Sequence, residues 1–282
     1  MSICCADLRE LKYFQEIQLI SGDKGLYRQV TWPFICTTPT ISPWLHGGEL
    51  LFITGAGIKT DENSLLLLMQ ESIEKRLAGM VILKGNEYIP SIPPSLIDLA
   101  DRSLFPLFEM PWNLKLIDVI QEISQLIMAH REQSKKQMLF LEQLLFSGSQ
   151  NHSFEELSMH YDIAPHPFRF IALVGIHDSK HENLDMIKSD VARTLKLHTP
   201  ERYCDVLCMV YINTVICLAL ADTDNNVSKL GTSITKAFQV LKNRYPSAGL
   251  HLAFGRICQP GDSIQQSYTE AEKVLDLMNK NL

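Results

Sequence analysis

No long apolar helix, no surplus of positive charge and no nucleophile or metal motif marks this sequence, and each absence removes a class of function. Lys and Arg number 26 against 32 Asp and Glu, a formal net charge of −6. The chain therefore lacks the overall basic balance by which nucleic-acid readers neutralise phosphate. One stretch imitates a membrane span, VLCMVYINTVICLALA over Val206–Ala221, but it is short for a bilayer and rich in β-branched residues, with Asn213 and Thr214 at its middle. It reads as a buried hairpin of two strands. The first residues, MSICCADLRE, have neither a basic n-region nor a long apolar h-region, so they are no signal peptide, and a cytoplasmic location is expected.

The seven cysteines, Cys4, Cys5, Cys36, Cys204, Cys208, Cys217 and Cys258, form no C-x-x-C pair. Neither a zinc ribbon nor a dithiol redox motif is indicated, and buried reduced thiols are expected. No G-x-S-x-G elbow or H-E-x-x-H pair occurs. His177 and His181 flank Asp178 without a third ligand, and Asp222 and Asp224 lie in turn-like sequence. No catalytic residue, metal or cofactor is assigned.

What is present is ordinary globular material: 282 residues, 46% hydrophobic and 21% charged, enough for two domains that each bury a core. From Glu49 to Pro111 short apolar strands alternate with helices. ELLFIT, GMVILK and FPLFEM are the strands; Asp61–Leu77, capped by Asp61, and PPSLIDLADRS are the helices. That beat predicts an α/β N-terminal domain with a small, mostly parallel sheet.

Asn113–Phe146 reads as one long helix. Leu116, Ile120, Ile123 and Ile127 set an apolar stripe that resumes at Leu141 and Leu144, on either side of the polar HREQSKKQ. Apolar stripes at both ends exceed what one domain each would cover, which predicts a homodimer with Ile123 and Ile127 at its interface. SGSQNHS is the natural boundary. Beyond it FRFIALVGI, the hairpin and LHLAFGRI are strands, while Asp185–Leu197, Val227–Arg244 and Ser263–Met278 are helices. The pattern predicts an α+β, ferredoxin-like domain. The expected divisions are 1–125, a linker helix over 126–150, and 151–282.

The loop Gly55-Ala56-Gly57 follows the strand ELLFIT, at the end where open α/β sheets place ligands. It fits neither G-x-G-x-x-G, whose last position is Thr60, nor the P-loop, since Ile58 intervenes before Lys59-Thr60. A turn set by backbone geometry and the lip of a non-phosphate site both remain open. Trp32, Trp44 and Trp112 all fall in the first domain, either as core or as an aromatic wall.

Ile20–Ile58 resembles the N-terminal sensory domain of PucR-type (purine catabolism) transcriptional regulators. The resemblance rests on Gly22, Gly25-Leu26, Arg28, Val30, Trp32, Trp44-Leu45, Gly48-Glu49-Leu50 and Thr54-Gly55, and extends through AGMVILKG and FPLFEMP. The second half is similar to the degenerate GGDEF-like domain of the same regulators, through LAFGRICQPGDSIQQSYTEAEKVLDL. Its hairpin turn reads Tyr211-Ile212-Asn213-Thr214, without the glycines and acids that a cyclase needs to approach nucleotide and hold metal.

The resemblance implies the effector-sensing and dimerisation region of a regulator of purine or other nitrogen or amino-acid catabolism, not an enzyme. DNA would be bound only through a helix-turn-helix that is missing from this chain. A small-molecule effector would lie along Trp44, His46, Glu49, Thr54, Gly55, Gly57, Lys59 and Lys84. In that site Trp44 and His46 are one wall, and Lys84 reaches in from the neighbouring strand. An enzyme of nucleotide or sugar-nucleotide chemistry and a ligand-free dimerisation scaffold are the rival readings.

Overall fold

A computed structural model describes residues 3–41, 43–85, 88–147, 153–177, 184–199 and 204–280. The chain divides into two compact units, Ser2–Arg131 and Glu132–Leu282. Part of SGSQNHS (148–152), together with Asp178 and His181, lies outside the described residues.

The first unit is built on a five-stranded sheet of β1 (Gln18–Ser21), β2 (Trp32–Cys36), β3 (Glu49–Ile53), β4 (Gly79–Lys84) and β5 (Leu107–Pro111), in the order β1-β5-β4-β3-β2. β2 to β5 run parallel, and β1 closes the edge antiparallel to β5. Helix α1 (Glu62–Glu74) joins β3 to β4, and α2 (Pro94–Arg102) joins β4 to β5. Strand β3 is buried on both faces, as parallel strands under two layers must be. Leu50 and Phe52 pack with Val81, Phe108 and the N-terminal Leu8 and Phe14. Leu51 and Ile53 pack with Met80, Ile82 and the α1 residues Leu65, Leu68 and Met69. The mostly parallel sheet predicted from the strand-helix beat is thus present.

Helix α3 (Leu116–Phe146) starts three residues after the expected Asn113, because the backbone first makes a turn from the Leu114 amide to the Pro111 carbonyl. Its two apolar stripes correct the sequence reading. Ile123 and Ile127 are 0% and 3% exposed, and they fill the core of the first unit with Val119 and Leu114. Phe140, Leu141, Leu144 and Leu145 belong to a core of the second unit, with Phe154 and Leu157. Each stripe is covered within its own unit. Periodicity reveals an apolar face but not what covers it, so Ile123 and Ile127 are packing residues rather than surface available to a second copy.

The second unit opens with α4 (Phe154–Tyr161), whose start is fixed by a capping box between Ser153 and Glu156. There follow β6 (Phe168–Ile176), α5 (Leu184–Leu197), β7 (Cys204–Tyr211), β8 (Thr214–Ala221), α6 (Asp224–Arg244), β9 (Leu250–Phe254) and α7 (Ile264–Lys280). The sheet order is β7-β8-β6-β9, antiparallel throughout. Residues of α5 and α6 cover one face, while α4, α7 and the end of α3 cover the other. The apolar Val206–Ala221 run is the β7–β8 hairpin, and no described helix is long and apolar enough to cross a membrane.

Candidate functional site

The carboxyl ends of the parallel strands gather the chemistry of the first unit. β3 ends at Ile53, and Thr54–Thr60 lead into α1, whose N-cap Asp61 accepts from the Ser64 amide at 3.1 Å. Hydrogen bonds from Ser64 hold the Asp61 carboxyl below its ordinary value. Gly55 and Gly57 take φ of +84° and +79°, a region that side chains disfavour. Space is tight as well: a β-carbon on Gly57 would stand 3.1 Å from the carbonyl oxygen of Thr37, just past β2, which would have to give by a few tenths of an ångström. The Thr54 hydroxyl accepts from the Ala56 amide at 3.2 Å, which leaves its own proton to donate outward.

Lys84, the last residue of β4, is paired with Glu109 of β5 at 3.1 Å. That pair is exposed and answers the Lys84 charge only in part. Beside it Trp112, just past β5, lies tilted against Tyr88 with centroids 5.5 Å apart. Gly85 permits that approach, since a β-carbon there would meet the Trp112 ring at 3.0 Å. Trp112 is 46% exposed. Trp32 and Trp44 are also substantially exposed, so none of the tryptophans is core.

The structure divides the candidates. Thr54, Gly55, Gly57 and Lys84 share the carboxyl edge, with exposed Lys59 in the same loop. Glu49 stands at the other end of β3, about 17 Å away for five residues of strand. There its carboxylate accepts from the amides of His46 and Gly47 at 3.1 and 2.8 Å. Trp44 belongs with that end: its amide bonds to Ile41, which is tied to Glu71 in the last turn of α1. Trp44 and His46 thus do not wall the Thr54 loop. Residues that precede a strand and residues that follow it lie at opposite edges of the sheet, and strand direction alone carries that information.

Other residues of the resemblance also prove architectural. A β-carbon on Gly22 or Gly25 would strike the carbonyl oxygens of Phe105 and Leu104 at 2.1 and 2.0 Å. The Arg28 guanidinium donates to the carbonyls of Leu77, Leu104 and Ser103. Tyr88 and Glu109 were missed from sequence. Their only signal is position, near the ends of β4 and β5.

In the second unit a groove of about 500 Å³ lies between α6 and β9, lined by Phe170, Phe254, Val227, Gly231, Thr235 and Ile257. At the hairpin tip the turn is Ile212-Asn213, with no carboxylate to hold a metal. Among the described residues no group of three or more His, Cys, Asp or Glu could hold a metal ion. Asp222 is bonded to His166 at 2.6 Å.

The carboxyl edge of the first unit's parallel sheet thus carries glycine turns and exposed aromatic rings. Residues 7–127 match the PucR family, the purine catabolism regulatory protein-like family. It is similar to the Purine catabolism regulatory protein of Bacillus subtilis (strain 168), 29% identical over 134 residues, which are 48% of this chain and 25% of that protein. The matched part thus spans a quarter of the length of that relative. Among solved structures the chain is similar to the intact alpha subunit of aIF2 from Pyrococcus abyssi, at 11% identity, over 60% of this chain and 75% of that one. The TM-score is 0.26, which assigns no shared fold.

Proposed function

We propose that this chain is the effector-sensing region of a PucR-type transcriptional regulator of purine or other nitrogen catabolism, acting in the cytoplasm as a homodimer and without enzymatic turnover. The match over residues 7–127 carries the reading. The effector site is the carboxyl edge of the parallel sheet: the Thr54 hydroxyl and the amides of Gly55 and Gly57 supply hydrogen bonds, and Tyr88 and Trp112 supply a flat apolar surface. A small, planar and polar metabolite fits that combination.

The second unit is read as a ferredoxin-like, degenerate GGDEF-like domain. The strand-helix order β6-α5-β7-β8-α6-β9 supports the first term. The Ile212-Asn213 turn supports the second, as it lacks the groups for nucleotide and metal. For dimerisation, Ile117 and Met128 are exposed, eleven positions apart on one face of α3.

A thermal-shift screen of purine breakdown products and amino acids, repeated on Thr54→Val, Lys84→Ala and Trp112→Leu, tests the site. Because the Thr54 hydroxyl also braces its own loop, the Thr54→Val variant is compared with Trp112→Leu rather than judged alone. An effector whose affinity is unchanged in all of these variants lies elsewhere. Light scattering of Met128→Glu against the unaltered chain tests the dimer. Turnover of a nucleotide substrate would replace the reading with an enzymatic one.

A further inference from the structure

The β7–β8 hairpin sets Cys208 directly opposite Cys217 in register, with their sulfurs 2.8 Å apart. Counted from the two-residue turn, this pair falls at a non-hydrogen-bonded site of the ladder. Such sites bring antiparallel strands closest, with Cα atoms about 4.5 Å apart, at the near end of the range that disulfides span. Cys217 is buried and Cys208 half-buried, on the face that α5 and α6 cover. The thiols of Cys5, Cys36, Cys204 and Cys258 turn instead to backbone carbonyls. Only a small closure separates the Cys208–Cys217 contact from a bond, and the register already holds both side chains on one face.

We propose that Cys208 and Cys217 form a redox-modification site, a vicinal cross-strand dithiol that a hydroperoxide-class oxidant converts to an intrachain disulfide. The half-exposed Cys208 reacts first. Its sulfur attacks one peroxide oxygen, forming an S–O bond and breaking O–O, and the leaving oxygen departs as water with the thiol proton. The Cys217 sulfur then displaces the hydroxyl from Cys208: S–S forms, S–O breaks, and a second water leaves with the Cys217 proton. Two thiols lose two electrons and two protons, and one hydrogen peroxide becomes two waters.

Burial, and after it the hydrogen bond with Cys208, push the Cys217 thiol well above its ordinary value. Buried as well, Cys217 resolves rather than initiates. The stapled hairpin ends at Tyr211, whose ring stacks on Phe146 of α3 at 4.9 Å, so the modification stiffens the seat of that helix end.

The test is peptide mapping by mass spectrometry of the reduced 282-residue chain after exposure to hydrogen peroxide. The exposed Met159, once converted to its sulfoxide, reports that oxidant acted. The expected product is one cross-linked species joining the Cys208 and Cys217 peptides, reversed by dithiothreitol. Oxidised unaltered chain should also melt at higher temperature than reduced chain, a difference that Cys208→Ser and Cys217→Ser both abolish. Cys208 and Cys217 still alkylated as free thiols once Met159 is oxidised would overturn the proposal. So would Cys208 converted to a sulfinic acid, or a cross-link from Cys208 to any other cysteine.

Discussion

A β-carbon placed on Gly55 would fall 2.6 Å from the β-carbon of Tyr88. The loop after β3 and the segment after β4 are therefore fitted together across the ligand edge of the sheet, and the fit depends on the missing side chain. Gly55→Ala would add this clash to the strain of a φ of +84°. The expected cost is about 2 kcal/mol or more in urea unfolding of the first unit. Tryptophan fluorescence reads that unit selectively, since Trp32, Trp44 and Trp112 all lie within it. Unchanged stability would mean that the two loops move apart freely and that the edge is not preorganised.

Arg28 makes a second prediction. Its guanidinium donates to Leu77 at 3.0 Å, Leu104 at 3.1 Å and Ser103 at 3.4 Å, and lies over the Phe105 ring at 5.3 Å. A lysine ammonium cannot span three carbonyls in one plane or lie flat on a ring. Arg28→Lys is therefore expected to lose nearly as much stability as Arg28→Ala, about 2 kcal/mol by the same fluorescence measurement. Full rescue by lysine would show that only charge matters at this position.

The strands and helices of both units were legible because their periods are strong: LLFI buried throughout, a capped α1, an apolar hairpin interrupted once at Ile212-Asn213. The carbonyl clamp of Arg28 was not, because its partners stand 49 to 76 residues further along the chain. The split of the candidate site followed from one local fact, that Glu49 opens β3 and Thr54 follows its end. Tyr88 and Glu109 escaped because neither belongs to a motif; only packing brings Tyr88 onto Trp112 and Glu109 onto Lys84. Ile123 and Ile127 were legible as apolar and illegible as core, since a stripe does not name its cover.

Asp190 gives the second unit a pH dependence. It is buried on α5, and its carboxylate accepts from Arg244 at 2.6 Å, Arg193 at 2.9 Å and Tyr245 at 2.9 Å. Burial alone raises the carboxyl, but these hydrogen bonds outweigh it and hold the group below its ordinary value. Burial and the neighbouring carboxylate push the Tyr245 hydroxyl up to about 12. A depressed carboxyl stabilises the fold fully above its unfolded value, near pH 3.9, and the contribution is lost as pH falls through the lower folded value. Asp190→Asn should cost about 2 kcal/mol at neutral pH and flatten the acid limb of the stability curve, followed by circular dichroism. An acid limb as steep as in the unaltered chain would assign the pH dependence to other carboxyls.

Ile212 supplies the last prediction, and here the substitution should help. It is the first residue of the two-residue β7–β8 turn and takes φ of +52°. Positive φ at that position is the type II′ pattern, which favours glycine, whereas a β-branched residue there costs about 1–2 kcal/mol. The side chain is 72% exposed, so little packing offsets the strain. Glycine removes the strain but surrenders about 0.5–1 kcal/mol of unfolded-chain entropy. Ile212→Gly should therefore stabilise the second unit by roughly 0.5–1 kcal/mol, seen as a rise in Tm of about 1–4 °C by circular dichroism. Ile212→Ala is the control, because alanine keeps the β-carbon that makes the conformation costly. Equal gains in both variants would show that removing an exposed apolar side chain, rather than relieving the backbone, produced the effect.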